Sequence, residues 1–403
     1  MSGADDRAAA EALDAADPLA AFHERFVIPD PERIYLDGNS LGRLSIDVRD
    51  ALHASTEEWA TRAVEGWNDW IELPTRVGDR LGSVALGAQP GEVLLADSVT
   101  VNLYKLAHAA ADLRGGSIVT DAGNFPTDCY VLGGVARQRG REYVEATTVE
   151  EALRAAAGGV LCLSHVDYRS GALLDMAALT GATDALLIWD LSHSAGAVEV
   201  DLSVADLAVG CTYKYLNAGP GAPAFLYVRG ALQAEMRSPI QGWFARREQF
   251  TMGAGFEPAH GIERFAAGTP SVAGLAAVDA SLGLIEEAGI GRLAAKGRAL
   301  GRLAIALAND VLVPLGFAVA SPRKDHGRGA HVALRHPEAW PICRALIERA
   351  SVVPDFRQPD ILRLGFSPMT TRFVEVWDAL DRLRSLVERG DQRQVAAGSR
   401  RVT

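Results

Sequence analysis

Lysine is scarce in this chain of 403 residues: Lys105, Lys214, Lys296 and Lys324 are the only four, and arginine supplies the other 36 of its 40 basic groups. Basic charge does not prevail either. Against 51 acidic residues the formal net charge is -11, which disfavours nucleic acid as a partner, because phosphate binding needs a basic face. Cysteine is equally sparse. Cys129, Cys162, Cys211 and Cys343 lie too far apart for a CxxC pair, so no metal or redox site is expected, only buried reduced thiols. No apolar run is long enough to span a bilayer, and Met1-Ser2-Gly3-Ala4-Asp5-Asp6 has neither the basic start nor the apolar core of a signal peptide. A cytoplasmic protein without a membrane partner is the expectation. Internal repeats are lacking as well.

What the chain does have is core: 48% hydrophobic and 23% charged residues suit a soluble globular protein, and the length predicts two or three domains. Short apolar runs at 92–96, 117–121, 160–165, 185–190, 206–212 and 224–228 alternate with helical periodicity. That alternation predicts an α/β fold with a mostly parallel sheet covered on both faces. After Pro270 the pattern changes, with helices over 272–288, 291–311 and 373–387 and short strands over 330–334 and 361–364. We expect a large domain over 46–280 and a smaller α+β domain over 281–390, which the segment 1–45 joins. Leu13, Leu19, Phe22 and Phe26 recur at near-helical spacing, predicting one helix over 8–26, and the polar tail 391–403 should be loose.

Two strand ends carry chemistry. The run Ala185-Leu186-Leu187-Ile188-Trp189 ends in Asp190, with His193 three residues on; the next run leads through Thr212 and Tyr213 to Lys214, then to a turn at Gly219-Pro220-Gly221. Open α/β sheets bind ligands at the carboxyl ends of their strands. There a carboxylate can face the pyridinium nitrogen of pyridoxal 5'-phosphate while a lysine holds its aldehyde as a Schiff base. An apolar strand ending in Asp is common by itself, and an isolated lysine is more often a solvated surface group; the combination is far more specific. The stretch from Ala96 to Leu103 follows a strand and opens a helix, a phosphate cup to which Thr100 can add its hydroxyl, or a plain Ser/Thr cap. Phe125 can stack on a flat ring, although a core phenylalanine is the commoner case. Arg363, alternating with Leu362 and Leu364, suits bidentate capture of a carboxylate if it points inward rather than into solvent.

The segment Tyr213 to Gly221, with Asp190-Leu191-Ser192-His193, resembles the kynureninase family, pyridoxal-phosphate enzymes of the aspartate aminotransferase fold type. Tyr35 to Gly42, Asn124 to Asp128, Gly242-Trp243-Phe244 and Gly268-Thr269-Pro270-Ser271 follow in the family's order, so the likeness spans roughly residues 35 to 370. It implies a fold with a seven-stranded sheet in the large domain. It also implies hydrolysis of L-kynurenine, or its 3-hydroxy form, to anthranilate or 3-hydroxyanthranilate and L-alanine. By the same resemblance Lys214, Tyr213 and Asp190 are catalytic, and Tyr213 is a proton donor. Val99, Thr100, Phe125, Pro126, Thr127, Asp128, Ser164 and His193 contact the cofactor. Trp243 and Thr269 reach the cofactor phosphate of a neighbouring subunit, making a homodimer with shared sites. Arg363 and Ser40 bind substrate, and threonine at 269 leans toward the unhydroxylated substrate. Trp67, Asn68 and Trp70 wall an aryl pocket or pack against the body. The competing readings are an aminotransferase, a cysteine desulfurase, for which Cys343 lies in a core-like helix, and a non-catalytic protein on the same scaffold.

Overall fold

The computed structural model describes residues 3–251 and 253–394. Its main sheet is made of runs buried on both faces. Every residue of Val160–Ser164 and Leu186–Asp190 is buried, as a strand needs when helices cover it on each side. After a short β1 (Ile34–Tyr35), the sheet collects β2 (Val93–Leu95), β3 (Ile118–Asp121), β4 (Tyr143–Ala146), β5 (Val160–Ser164), β6 (Leu186–Asp190), β7 (Leu207–Gly210) and β8 (Phe225–Val228). Their order is β2-β8-β7-β6-β5-β3-β4, and β8 alone runs against the others. Ser164 lies opposite Asp190 and Asp190 opposite Val209, so β5, β6 and β7 finish level with one another. All six predicted strands are present, each shortened by no more than two residues at an end. The unforeseen β4 is an edge strand in which only Ala146 is buried, so it never showed the apolar run that betrays its neighbours.

A second sheet, antiparallel and four-stranded, follows from β9 (Ala318–Val319), β10 (His331–Arg335), β12 (Asp355–Arg357) and β13 (Ile361–Gly365), in the order β12-β13-β10-β9. The helices Ile290–Leu307, Ala339–Arg349 and Phe373–Arg389 close over it around Leu300, Leu334, Leu346, Leu364 and Leu383. The N-terminal segment shares this core through Ala10 and Leu36, and β1 pairs in parallel with β11 (Val352–Val353). Direct β12–β13 pairing places Asp355 opposite Arg363.

Three expectations need correction. The single helix over 8–26 is two elements, Gly3–Ala15 and a short 3-10 turn Ala20–Arg25. Pro18 disfavours helix at the residue before it, and Asp17 instead turns to Lys296, bonding its Nζ at 2.6 Å. The helix expected over 291–311 is regular only to Leu307, beyond which the chain widens into a π turn, Ala308–Leu312. The start of the tail is not loose: Asp391–Gln394 forms a turn, and Gln392 is buried with its amide donating to Glu338 at 3.1 Å. Residues 395–403 lie outside the described residues.

Candidate active site

Asp190 closes β6 almost wholly buried, and the turn that follows grips one of its oxygens: Oδ1 accepts from the Ser192 N–H at 2.8 Å and from the Ser192 hydroxyl at 2.6 Å. Asp128 comes to the same place from the first turn of the Pro126–Arg139 helix. Burial pushes the Asp128 carboxyl well above its usual range, and the charge of Asp190 and a hydrogen bond with it push further. Of the two carboxyls, Asp128 is therefore the one driven toward its protonated form. Beneath them the Ser164 hydroxyl donates to Asn124 Oδ1 at 2.7 Å, and Asn124 Nδ2 donates to Thr120 at 2.9 Å.

The segment after β7 is fixed by its own turn. Asn217 and Gly219 take left-handed backbone angles, Ala218 N–H returns to Thr212 O at 3.0 Å, and the Thr212 hydroxyl reaches Pro223 O at 2.8 Å. These bonds aim Lys214, whose Nζ lies 3.2 Å from His193 Nε2. Burial first, then the Lys214 charge, hold the His193 imidazole well below its ordinary pKa, so it is neutral. A neutral imidazole can accept from an ammonium or, as the other tautomer, donate to an amine. Lys214 is close enough to lower the pKa of Asp128, which Asp190 raises, so amine and acid act on one spot. The Tyr213 hydroxyl is raised, chiefly by burial, and stays protonated.

Around this centre Phe125 caps the Pro126–Arg139 helix with its ring 37% exposed, edge-on to Tyr168 at 5.3 Å, so a large aromatic face stays open beside the acid pair. Pro126 is exposed and Thr127 half-buried next to it. Val99 and Thr100 occupy the first turn of the Val99–Leu113 helix, where Ser98 caps Val101 N–H and Thr100 is exposed; free N–H groups there suit a phosphate. The preceding Asp97 is held by Lys105, fully buried, whose Nζ also donates to Phe265 O at 2.6 Å.

At the substrate end Arg363 is fully buried and clasped by Asp355, the Tyr168 carbonyl and, at 3.4 Å, Ser40 Oγ. With its carboxamide oxygen turned to the guanidinium, Asn39 accepts from Nη2 at 3.0 Å and Nε at 3.2 Å. Ser40 itself donates to Asp355 at 2.9 Å. Arg363 is thus buried among groups of its own chain rather than turned to solvent.

Thr269 lines one cavity with Ala96, Asp97 and Gly221 of the same chain, just before the Val99–Leu113 helix begins. Trp243 packs on Phe244 and Phe250, Thr269 is exposed, and among the described residues no hydrogen bond ties either to Lys214, Asp190 or His193 of the same chain. Trp67 packs between Trp70 and Phe244, Trp70 is buried and Asn68 is exposed. Cys343, 0% exposed, is core and cannot swing to a substrate. Sequence reasoning missed Asp355 and Arg357 beside Arg363, Asp37 nearby, Ser192 on Asp190 and His331, whose ring lies 5.8 Å from that of His193. The alternation Asp355-Phe356-Arg357, which puts two charges on one face of a strand, was the available signal.

An amine, an acid pair, an open aromatic and a helix N-terminus at adjoining strand ends form a donor set that fits pyridoxal phosphate: aldehyde, ring nitrogen, ring face and phosphate each find a partner. The fold and this set define a fold-type I pyridoxal-phosphate enzyme. Residues 293–383 match the family model described as Kynureninase C-terminal domain, and residues 137–314 the one described as Aminotransferase class-V. The chain is 40% identical over 396 residues to kynureninase of Pseudomonas fluorescens, covering 94% of each, and 39% identical over 403 residues to kynureninase of Burkholderia pseudomallei (strain 1106a), covering 95% of each. It belongs to the kynureninase family. Cysteine desulfurases share the fold at low identity: the apo enzyme from Thermococcus onnurineus NA1 has a TM-score of 0.76 at 19% identity, over 89% of this chain and 95% of that one. One from Escherichia coli gives 0.76 at 18%, over 91% and 98%.

Proposed function

We propose that the protein hydrolyses L-kynurenine to anthranilate and L-alanine. The carrying observation is that Lys214 Nζ beside neutral His193, and the Asp128–Asp190 pair, meet at one set of strand ends in a chain of this family. When bound, pyridoxal phosphate supplies an aldehyde that captures the substrate amine and a protonated ring that draws electrons from its α-carbon. Asp190 would face the ring nitrogen, with Asp128 beside it. Val99 and Thr100 would hold the phosphate, Phe125 the ring face, and Ser164 the underside. Lys214 Nζ would take and return the α-proton, its neighbour His193 being uncharged and so not repelling a proton on the amine. The Tyr213 hydroxyl, protonated at working pH, would donate to the departing fragment. Arg363 would hold the α-carboxylate, with Ser40 at its side.

The exposure of Thr269 supports a homodimer in which each subunit completes the other's phosphate site. We also place the protein in the cytoplasm, and give preference to the unhydroxylated substrate on account of Thr269. The helix Val272–Ala288 is unbroken and keeps Leu282 and Ile285 in the core of the large sheet. We therefore set the boundary of the two domains at Gly289, beyond position 280; of the N-terminal segment, Ala10, Ile34 and Leu36 join the smaller domain's core, whereas Leu19, Phe22 and Phe26 pack into the core of the large sheet.

Assay of both substrates for anthranilate-type product, with borohydride reduction and peptide mapping, tests this reading. Anthranilate and a cofactor label on Lys214 are expected, with the larger kcat/KM for L-kynurenine. A label elsewhere, or no aryl product from either substrate, overturns it.

A further inference from the structure

Behind the substrate end, four charged side chains from three segments crowd together. Asp355, fully buried, bonds Arg363 through one oxygen and pairs electrostatically with Arg357, whose Nη1 lies 2.9 Å from the other oxygen but donates to Phe356 O, so it is the anion both guanidiniums share. Asp37 enters from the loop after β1, its backbone bridged to Gly365 and its Oδ1 buried with no hydrogen-bond partner. The groups that face it are Tyr35 and Ser40 on its own segment, Asp355, Arg357 and Arg363 on the small sheet, Tyr215 after β7 and Cys343 on the Ala339–Arg349 helix. Burial raises both tyrosines and the thiol, so they are uncharged at neutral pH. The charge of the cluster is then decided by one group. With Asp37 protonated, two guanidiniums face one carboxylate and a single positive charge is left over; with Asp37 ionised, none is. A buried neutral cluster offers an incoming carboxylate little to offset the loss of its water.

We propose that the Asp37 proton sets this site's affinity for the substrate carboxylate: present, it leaves one positive charge for a monoanion to neutralise, and its loss closes the site to that anion. The inference rests on the reading of Arg363 as the carboxylate's partner. Burial and then the charge of Asp355 push Asp37 up to about 7, while the arginines pull the other way.

The probe is 4-(2-aminophenyl)-4-oxobutanoate, the substrate skeleton without its α-amine, titrated into the holoenzyme beside its primary amide. For the wild type, Kd of the carboxylate should rise about tenfold or more between about pH 6 and about pH 8.5. Near pH 8 the complex should take up close to one proton, read by calorimetry in two buffers of different ionisation enthalpy. Asp37→Asn should bind with the acid-side affinity throughout, and the amide should be weak and flat with pH. A flat wild-type Kd, or a slope that survives in Asp37→Asn, overturns the inference and leaves Arg363 in its role. Equal affinity for carboxylate and amide at every pH overturns the role of Arg363, and this inference with it. Should Asp37→Asn not fold, proton uptake by the wild type decides alone: none near pH 8 overturns the proposal.

Discussion

A methyl group on Gly365 would stand 1.7 Å from the carboxamide of Asn39, the residue that turns its oxygen to Arg363. No side chain fits there without driving Asn39 off the guanidinium. Gly365→Ala should therefore raise KM about tenfold or more through the loss of both bonds from Arg363 to Asn39, while kcat changes by less than about threefold. Steady-state kinetics decide: an unchanged KM would mean that Asn39 does not steady the arginine.

The acid pair predicts an asymmetry between two identical substitutions. Asp128 is driven toward its protonated form, so Asp128→Asn keeps a neutral donor of the same shape and should hold activity within about tenfold. Asp190→Asn removes the charge the ring nitrogen needs and should cost about a hundredfold or more in kcat/KM. Equal losses in the two variants would contradict the division of charge.

If Trp243 serves the neighbouring subunit, Lys214→Ala and Trp243→Ala lesions lie in different halves of each site. Co-expressed heterodimers then carry one doubly damaged site and one intact site. Mixed preparations should regain about a quarter of wild-type activity, as expected for random pairing in a two-fold dimer. No recovery beyond the sum of the two parents refutes sharing.

Three buried histidines make the fold sensitive to acid. Burial pushes His165 down to about 4, and His193 and His331 well below their ordinary value. The unfolded chain binds these protons below about pH 6.5 whereas the folded chain does not, so stability falls as pH drops from there toward about 4. Asp37 and Asp128, raised by burial, hold protons in the folded chain that the unfolded chain has released over the same range, which offsets two of the three, so the net slope approaches about 1.4 kcal/mol per pH unit. Urea midpoints at a series of pH values should show it, and His165→Gln should make it shallower; a midpoint independent of pH over that range contradicts the assignment.

The parts legible in the sequence were those whose environment is uniform. Val160 to Leu163 and Leu186 to Trp189 are buried on both faces, so a plain apolar run marks each strand. Tyr143 to Ala146 lies at the sheet's edge, where exposed Glu145 breaks the signal. Lys214 and Asp190 showed themselves because each ends such a run. Asp355 did not: a lone acid before Phe356 and Arg357 acquires meaning only when β12 folds back along β13 and sets it opposite Arg363. That Asp128 is driven toward its protonated form was hidden for the same reason, since its partner Asp190 is distant along the chain and the pKa comes from their meeting in a buried place.

Of the four lysines, Lys105 has a side chain 0% exposed and Lys296 one 6% exposed, each locked against an aspartate. Once bound aldehyde occupies Lys214, the exposed Lys324 is the one ε-amine left for reagents in the surrounding water. A dye selective for ε-amines would consequently attach at one position per chain, Lys324, without engineering.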